Sequence, residues 1–210
     1  MTSLTTMTSL IPMTSLATMT RLRKMSRGLL VVLALAGCDL VSTTPAARQV
    51  SVLDGKIHVR APQFYCVDTQ TARSSADTAV VLIGPCTQGG HVAAALVTVT
   101  IGRLASAGVM LAGAETLRAF MSSDAGRRAL SRSGRARDVE VLESGVVKGR
   151  LLLHLNDRLT GEYWRAVIGI NGRLVTISAS GAEGVPLTSQ AGRKLVDETV
   201  DALIAANPSS

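Results

Sequence analysis

The clearest pattern in the chain lies at residues 163–180, YWRAVIGINGRLVTISAS, where apolar and polar positions alternate on both sides of Asn171-Gly172. Asn-Gly is the preferred pair for a type I′ turn, whose two central residues both need positive φ. A two-residue turn there sets Ile168 opposite Val175, Ala166 opposite Ile177 and Trp164 opposite Ala179. One face of the hairpin is then apolar, and Arg165, Thr176, Ser178 and Ser180 fall on the other. Residues 93–101 alternate in the same way, with Ala95, Val97, Val99 and Ile101 on one face and Thr98 and Thr100 on the other. Residues 78–83 are a short β-branched run between Asp77 and Gly84-Pro85, the pattern of a strand buried on both faces. Residues 56–60, 138–143 and 150–155 read as further short strands. The period changes at residues 188–206: Leu195, Val196, Thr199, Val200, Leu203 and Ile204 form one helical stripe, Thr188 stands where a cap belongs, and Asn207-Pro208 ends it. Leu117, Phe120 and Met121 also sit at helical spacing, and a short helix is expected over 124–132, limited by Gly126 and Gly134. Residues 102–113 read as a small-residue loop.

Strands, then helices, then strands and a closing helix indicate an α+β domain, an antiparallel sheet packed against helices with a C-terminal hairpin followed by an amphipathic helix. The expected folded unit is 54–207, with a three-residue tail. Residues 38–53 mix Ser, Thr, Pro and Ala without period and read as a tether.

Upstream the pattern is of another kind. Residues 1–20 repeat the hexad MTSLTT, MTSLIP, MTSLAT and bury no face, which marks low complexity; Met19 or Met25 would also serve as the start. Arg21, Arg23, Lys24 and Arg27 then precede nine apolar residues, 28–36, and Gly37-Cys38. A membrane-spanning helix needs about 20 apolar residues, so 21–37 reads as a signal peptide. Its end, Leu35-Ala36-Gly37-Cys38, resembles the lipobox of bacterial lipoproteins. That resemblance implies diacylation of the Cys38 thiol, cleavage before it, and a lipid-anchored protein on the periplasmic face of a membrane. Each buried acyl CH₂ contributes about 0.8 kcal/mol, so two or three chains hold a protein there almost permanently. Asp39 follows the cysteine, and in the enterobacterial lipoproteins this resembles, an aspartate there favours the inner membrane. The chain is also similar to small periplasmic lipoproteins of proteobacteria. The hairpin and terminal helix resemble, over about the last 50 residues, the sandwich of the PsbP-like extrinsic photosystem subunits; no motif is shared, so no functional residue follows.

Charge and cysteine content take on meaning once the leader is set aside. The whole chain carries +7, but four of its 22 basic residues lie in the leader, which leaves 18 against 15 acidic ones, or +3. That balance removes the argument for a nucleic-acid partner. Of three cysteines, a lipidated Cys38 leaves Cys66 and Cys86 as a pair in an oxidising compartment, and a disulfide between them is expected.

No catalytic, metal or cofactor motif stands out. His58, His91 and His154 are not at metal-ligand spacing, and His154 alternates with Leu152 as a strand-face residue would. Ser178-Ala179-Ser180-Gly181 is not a nucleophile elbow, and the glycine-rich segment 84–90 lacks the lysine of a phosphate loop. Arg127, Arg128, Arg132, Arg135 and Arg137 form one dense basic cluster, either a solvated helix end or a contact for anionic lipid headgroups or an acidic protein. Without interleaved aromatics it is not a nucleic-acid surface. The expected function is a non-enzymatic interaction or assembly module at the membrane, with a periplasmic protein partner. The alternative is a ligand-binding or hydrolase-like domain whose site gathers distant residues such as His154, Tyr163 and Arg165.

Overall fold

The computed structural model describes residues 46–87 and 92–208. Cys38, Asp39, His91 and the leader lie outside them.

Seven antiparallel strands form one sheet in the order β3-β4-β5-β9-β8-β7-β6, comprising β3 (Tyr65–Ser74), β4 (Ala79–Pro85), β5 (Ala95–Leu104), β6 (Val139–Val147), β7 (Arg150–Asp157), β8 (Gly161–Ile170) and β9 (Arg173–Gly181). A separate two-stranded ribbon, β1 (Gln49–Val52) with β2 (Ile57–Arg60), precedes it. Three α-helices complete the described unit: α1 (Ala114–Ser122), α2 (Asp124–Leu130) and α3 (Ser189–Ala206). The protein is an α+β fold with a large antiparallel sheet and a closing helix.

The strongest sequence pattern sets the centre of the sheet. Asn171 and Gly172 adopt φ of 48° and 74°, and the β8–β9 register pairs Ile168 with Val175, Ala166 with Ile177 and Trp164 with Ala179. The face these residues share, continued by Val97, Val99 and Ile101 of β5 and Val81 and Ile83 of β4, packs under α3 and the β1–β2 ribbon as the larger core. From α3 it receives Leu195, Val196, Val200 and Leu203, all buried, and the Thr188 hydroxyl accepts the Ala191 N–H at the helix start. A second core lies on the opposite face, where Leu117 of α1 and Leu130 of α2 cover Leu151, Leu153 and Leu155 of β7. Cys66 and Cys86 stand at disulfide geometry, with Cα atoms 4.8 Å apart, where they join the beginning of β3 to the end of β4.

Several expectations are corrected. Residues 49–52, read as tether, are strand β1, and Val52 and Leu53 enter the larger core; four residues are too few to show a period, and pairing with β2 supplies what local pattern lacks. The apolar run in β4 is covered on one face only, since Val80 is exposed where two-sided burial was expected. The loop expected at 102–113 holds the end of β5 and a 3₁₀ turn, Ser106–Met110, which packs against β8 and β9. Ile204 was placed in the buried stripe of its helix by spacing, yet it is about half exposed at the helix margin, and Phe120, at helical spacing in α1, is about half exposed as well.

Candidate functional site

The helices do not cover the sheet evenly. On the face away from α3, helices α1 and α2 lie over β6 and β7, whereas no α-helix covers β5 and β9, which meet only the 3₁₀ turn Ser106–Met110 at their Asn171-Gly172 end. Strand alternation makes that open part polar. Across β5-β9-β8 the register sets three rows: Leu96–Ser180–Tyr163, Thr98–Ser178–Arg165 and Thr100–Thr176–Val167. Leu130 at the end of α2, Arg132 just beyond it, and Asp157 and Thr160 from the β7–β8 turn rise along one side. The result is a groove of about 380 Å³.

Charge and hydrogen bonding inside the groove are specific. The Arg165 Nε donates to Ser178 Oγ at 2.9 Å, and its guanidinium carbon lies 5.2 Å from the centre of the Tyr163 ring. Asp157 is buried, and its Oδ1 accepts the Leu159 N–H at 2.8 Å, so this carboxylate is engaged in its own turn. Burial pushes the Tyr163 phenol above its ordinary value; Arg165 works against that shift, Asp157 adds to it, and Arg132 opposes it. These three charges therefore surround one phenol.

The sheet separates the three residues named as a distant site. Tyr163 and Arg165 are in the groove, whereas His154 lies on the other face, stacked on Trp164 with ring centres 4.7 Å apart and its Nε2 3.3 Å from Glu162 Oε2. His154 and Tyr163 therefore cannot share a substrate. His58 is engaged with Ser51, Nδ1 to Oγ 2.8 Å, and among the described residues no three His, Cys, Asp or Glu side chains cluster as a cation would require.

The five arginines do not form one face. Arg127 pairs with Asp124, and Arg135 Nε donates to the buried Asp138 at 2.8 Å. Arg127 and Arg137 border a hollow that also holds Glu140 and Glu143, so the charge there is mixed. Arg132 alone of the five lines the groove. Sequence reasoning had placed Arg165, Thr176, Ser178 and Ser180 on one face but had no means of adding Leu130, Arg132, Asp157 and Thr160, because these arrive through the packing of α2 and the turn of a different hairpin.

No family model matches the chain, and no curated protein matches it. Two solved structures resemble it, both 13% identical with a TM-score of 0.39: a point mutant of the protein Mog1, with 75% of this chain and 93% of that one covered, and the Saccharomyces cerevisiae Ran-binding protein Mog1p, with 75% and 92% covered. At that level the likeness carries no argument about function.

Proposed function

We propose that the protein is a lipoprotein held by Cys38 at the periplasmic face of a bacterial membrane, where its α+β body serves as a non-enzymatic interaction module. The observation that carries this reading is the distribution of its three cysteines. Two of them, Cys66 and Cys86, stand at bonding geometry within the folded body, and the third ends a basic-then-apolar leader. In an oxidising compartment a pair is stable and a lone thiol needs a fate; acylation supplies one. Among the described residues no helix is long and apolar enough to cross a membrane, so attachment in this reading rests on the acyl chains. Only seven residues separate Cys38 from Ala46, and eight steps of about 3.5 Å let the tether reach no more than about 28 Å, which keeps the body beside the bilayer. In this reading Asp39 favours the inner membrane, as an aspartate there does in the enterobacterial lipoproteins the leader resembles.

The test is fractionation together with metabolic labelling by palmitate. Wild type should label and sediment with membranes, and Cys38→Ala should do neither. A Cys38→Ala protein that stays in the membrane fraction, or a wild type that takes up no label, refutes the anchor. Alkylation and mass spectrometry without reduction test the other pair: both Cys66 and Cys86 should resist label.

A further inference from the structure

The groove over β5, β9 and β8 has no part in the anchoring reading and stands independently of it. Its chemistry is of two kinds. Thr98, Ser178 and Ser180 present hydroxyls from adjacent strands, and strands about 4.8 Å apart set them at the scale of a single pyranose ring. On its β8 side stand two guanidinium groups, Arg165 and Arg132. Among the described residues neither pairs with a carboxylate, whereas Arg118, Arg127, Arg135, Arg150, Arg158, Arg173 and Arg193 do. Arg165 spends only its Nε, on Ser178. Its two terminal nitrogens are left for a planar or tetrahedral oxyanion, the acceptor that a guanidinium fork matches best. The one acid at the rim, Asp157, is turned to its own backbone, so the local balance is positive. Leu96, Leu130 and the Tyr163 ring add apolar surface on which the C–H face of a sugar can rest. The volume of this open groove, about 380 Å³, falls at the lower end of the range of small-molecule sites, roughly 300–1,000 Å³.

We propose that this groove is a binding site for a sugar acid, a monosaccharide unit bearing a phosphate or carboxylate, with Arg165 and Arg132 on the oxyanion and the Thr98, Ser178 and Ser180 hydroxyls on the ring. The two parts of the recognition are separable. The guanidinium groups set affinity for the charge, and the hydroxyl rows distinguish a sugar from a bare anion.

Isothermal titration of the purified, naturally processed protein tests it with four probes: glucose 6-phosphate, glucuronate, glucose and inorganic phosphate. The two sugar acids should bind saturably, with glucose and inorganic phosphate each at least tenfold weaker. Arg165→Gln should lower sugar-acid affinity tenfold or more, and Arg132→Gln, at an exposed position that does not endanger the fold, about fivefold. Arg137→Gln, in the hollow beside β6 and not in the groove, should change nothing. A Thr98→Val variant should lose discrimination between glucose 6-phosphate and inorganic phosphate. The proposal is overturned if neither sugar acid binds up to 50 mM. It is equally overturned if inorganic phosphate or glucose binds as well as the sugar acids, or if Arg132→Gln binds like wild type while its urea unfolding is unchanged.

Discussion

Replacing Asn207 with alanine should destabilise the protein by more than a helix cap normally costs, because Asn207 joins two elements 149 residues apart. Its Nδ2 donates to His58 O at 2.7 Å and to Leu203 O at 2.8 Å, and its Oδ1 accepts the His58 N–H at 2.9 Å. β2 pairs with β1 along one edge only, so on its other edge the carboxamide replaces one rung of a strand ladder while also closing the last turn of α3. Asn207 is only 8% exposed, so the groups it satisfies have limited access to water. Three bonds at about 1 kcal/mol net each suggest a loss near 3 kcal/mol, falling to about 2 kcal/mol if water reaches the freed edge of β2. The Thr188→Ala change at the other end of α3 removes a solvent-exposed cap and should cost about 1 kcal/mol. Urea unfolding followed by the single tryptophan, Trp164, reads both, because that indole is buried beneath α3 and its Nε1 donates to Ser189 Oγ at 3.1 Å. Asn207→Ala should lower the midpoint more than Thr188→Ala with no change in slope, and the His58 amide should exchange faster. If Asn207→Ala falls within about 0.5 kcal/mol of wild type, or costs less than Thr188→Ala, the side chain is not the bridge between ribbon and helix.

Three further changes have definite signs. Removing the Cys66–Cys86 link, by reduction or by the paired alanine variant, frees a span of 20 residues and should cost about 3 kcal/mol; identical urea midpoints with and without dithiothreitol would refute this. Gly126→Ala should destabilise although alanine is the better helix former by about 1 kcal/mol, because a Cβ there would stand 2.1 Å from the Phe120 carbonyl oxygen and force α2 away from α1; a stabilised variant would contradict the packing. The Asp77 carboxyl is held below its ordinary value by the Leu104 N–H and by Arg173, as Asp68 is by Thr71 and Asp138 by Ser133. A depressed carboxyl stabilises the fold fully above its unfolded value, near 3.8, and loses that contribution as pH falls through the folded value, so stability should decline below about pH 4. Asp77→Asn should make that decline shallower, and an unchanged acid limb in Trp164 fluorescence would rule Asp77 out.

The parts of the fold that were legible in sequence are those where one short-range signal carries the whole instruction. Asn171-Gly172 specifies a turn, the turn specifies a register, and the register specifies which side chains share a face, so the pairing of β8 with β9 follows from 18 residues alone. The stripe of α3 is legible for the same reason, apart from Ile204 at its edge. Strand β1 was not, since Gln49–Val52 becomes a strand only through β2, and the extra role of Asn207 needs His58 in place first. Two-sided burial of β4 failed differently: Ala79, Val81 and Ile83 face the core, but Val80 stands on the half of the sheet that no helix covers, and no property of the strand reveals where the helices stop.

That boundary is also what turns an ordinary polar strand face into a candidate site. Along the face opposite α3, β7 presents Leu151, Leu153 and Leu155 beneath α1 and α2, whereas β9 presents Thr176, Ser178 and Ser180. Strand β8 lies between them and is mixed, with the buried Tyr163 and Val167 on either side of Arg165. Hydroxyls on an uncovered sheet face need no function, since threonine and serine suit a half-solvated strand. An arginine at the apolar margin is different. It is flanked by Leu130 at the end of α2 and by Arg132 just beyond it, and its terminal nitrogens meet no carboxylate among the described residues. Glu162 and Glu143 show that the chain places acids beside other cationic or aromatic groups of this sheet, the first against His154 and the second against Arg193. In the proposed site the guanidinium of Arg165, without a carboxylate partner among the described residues, locates the charge a ligand has to bring.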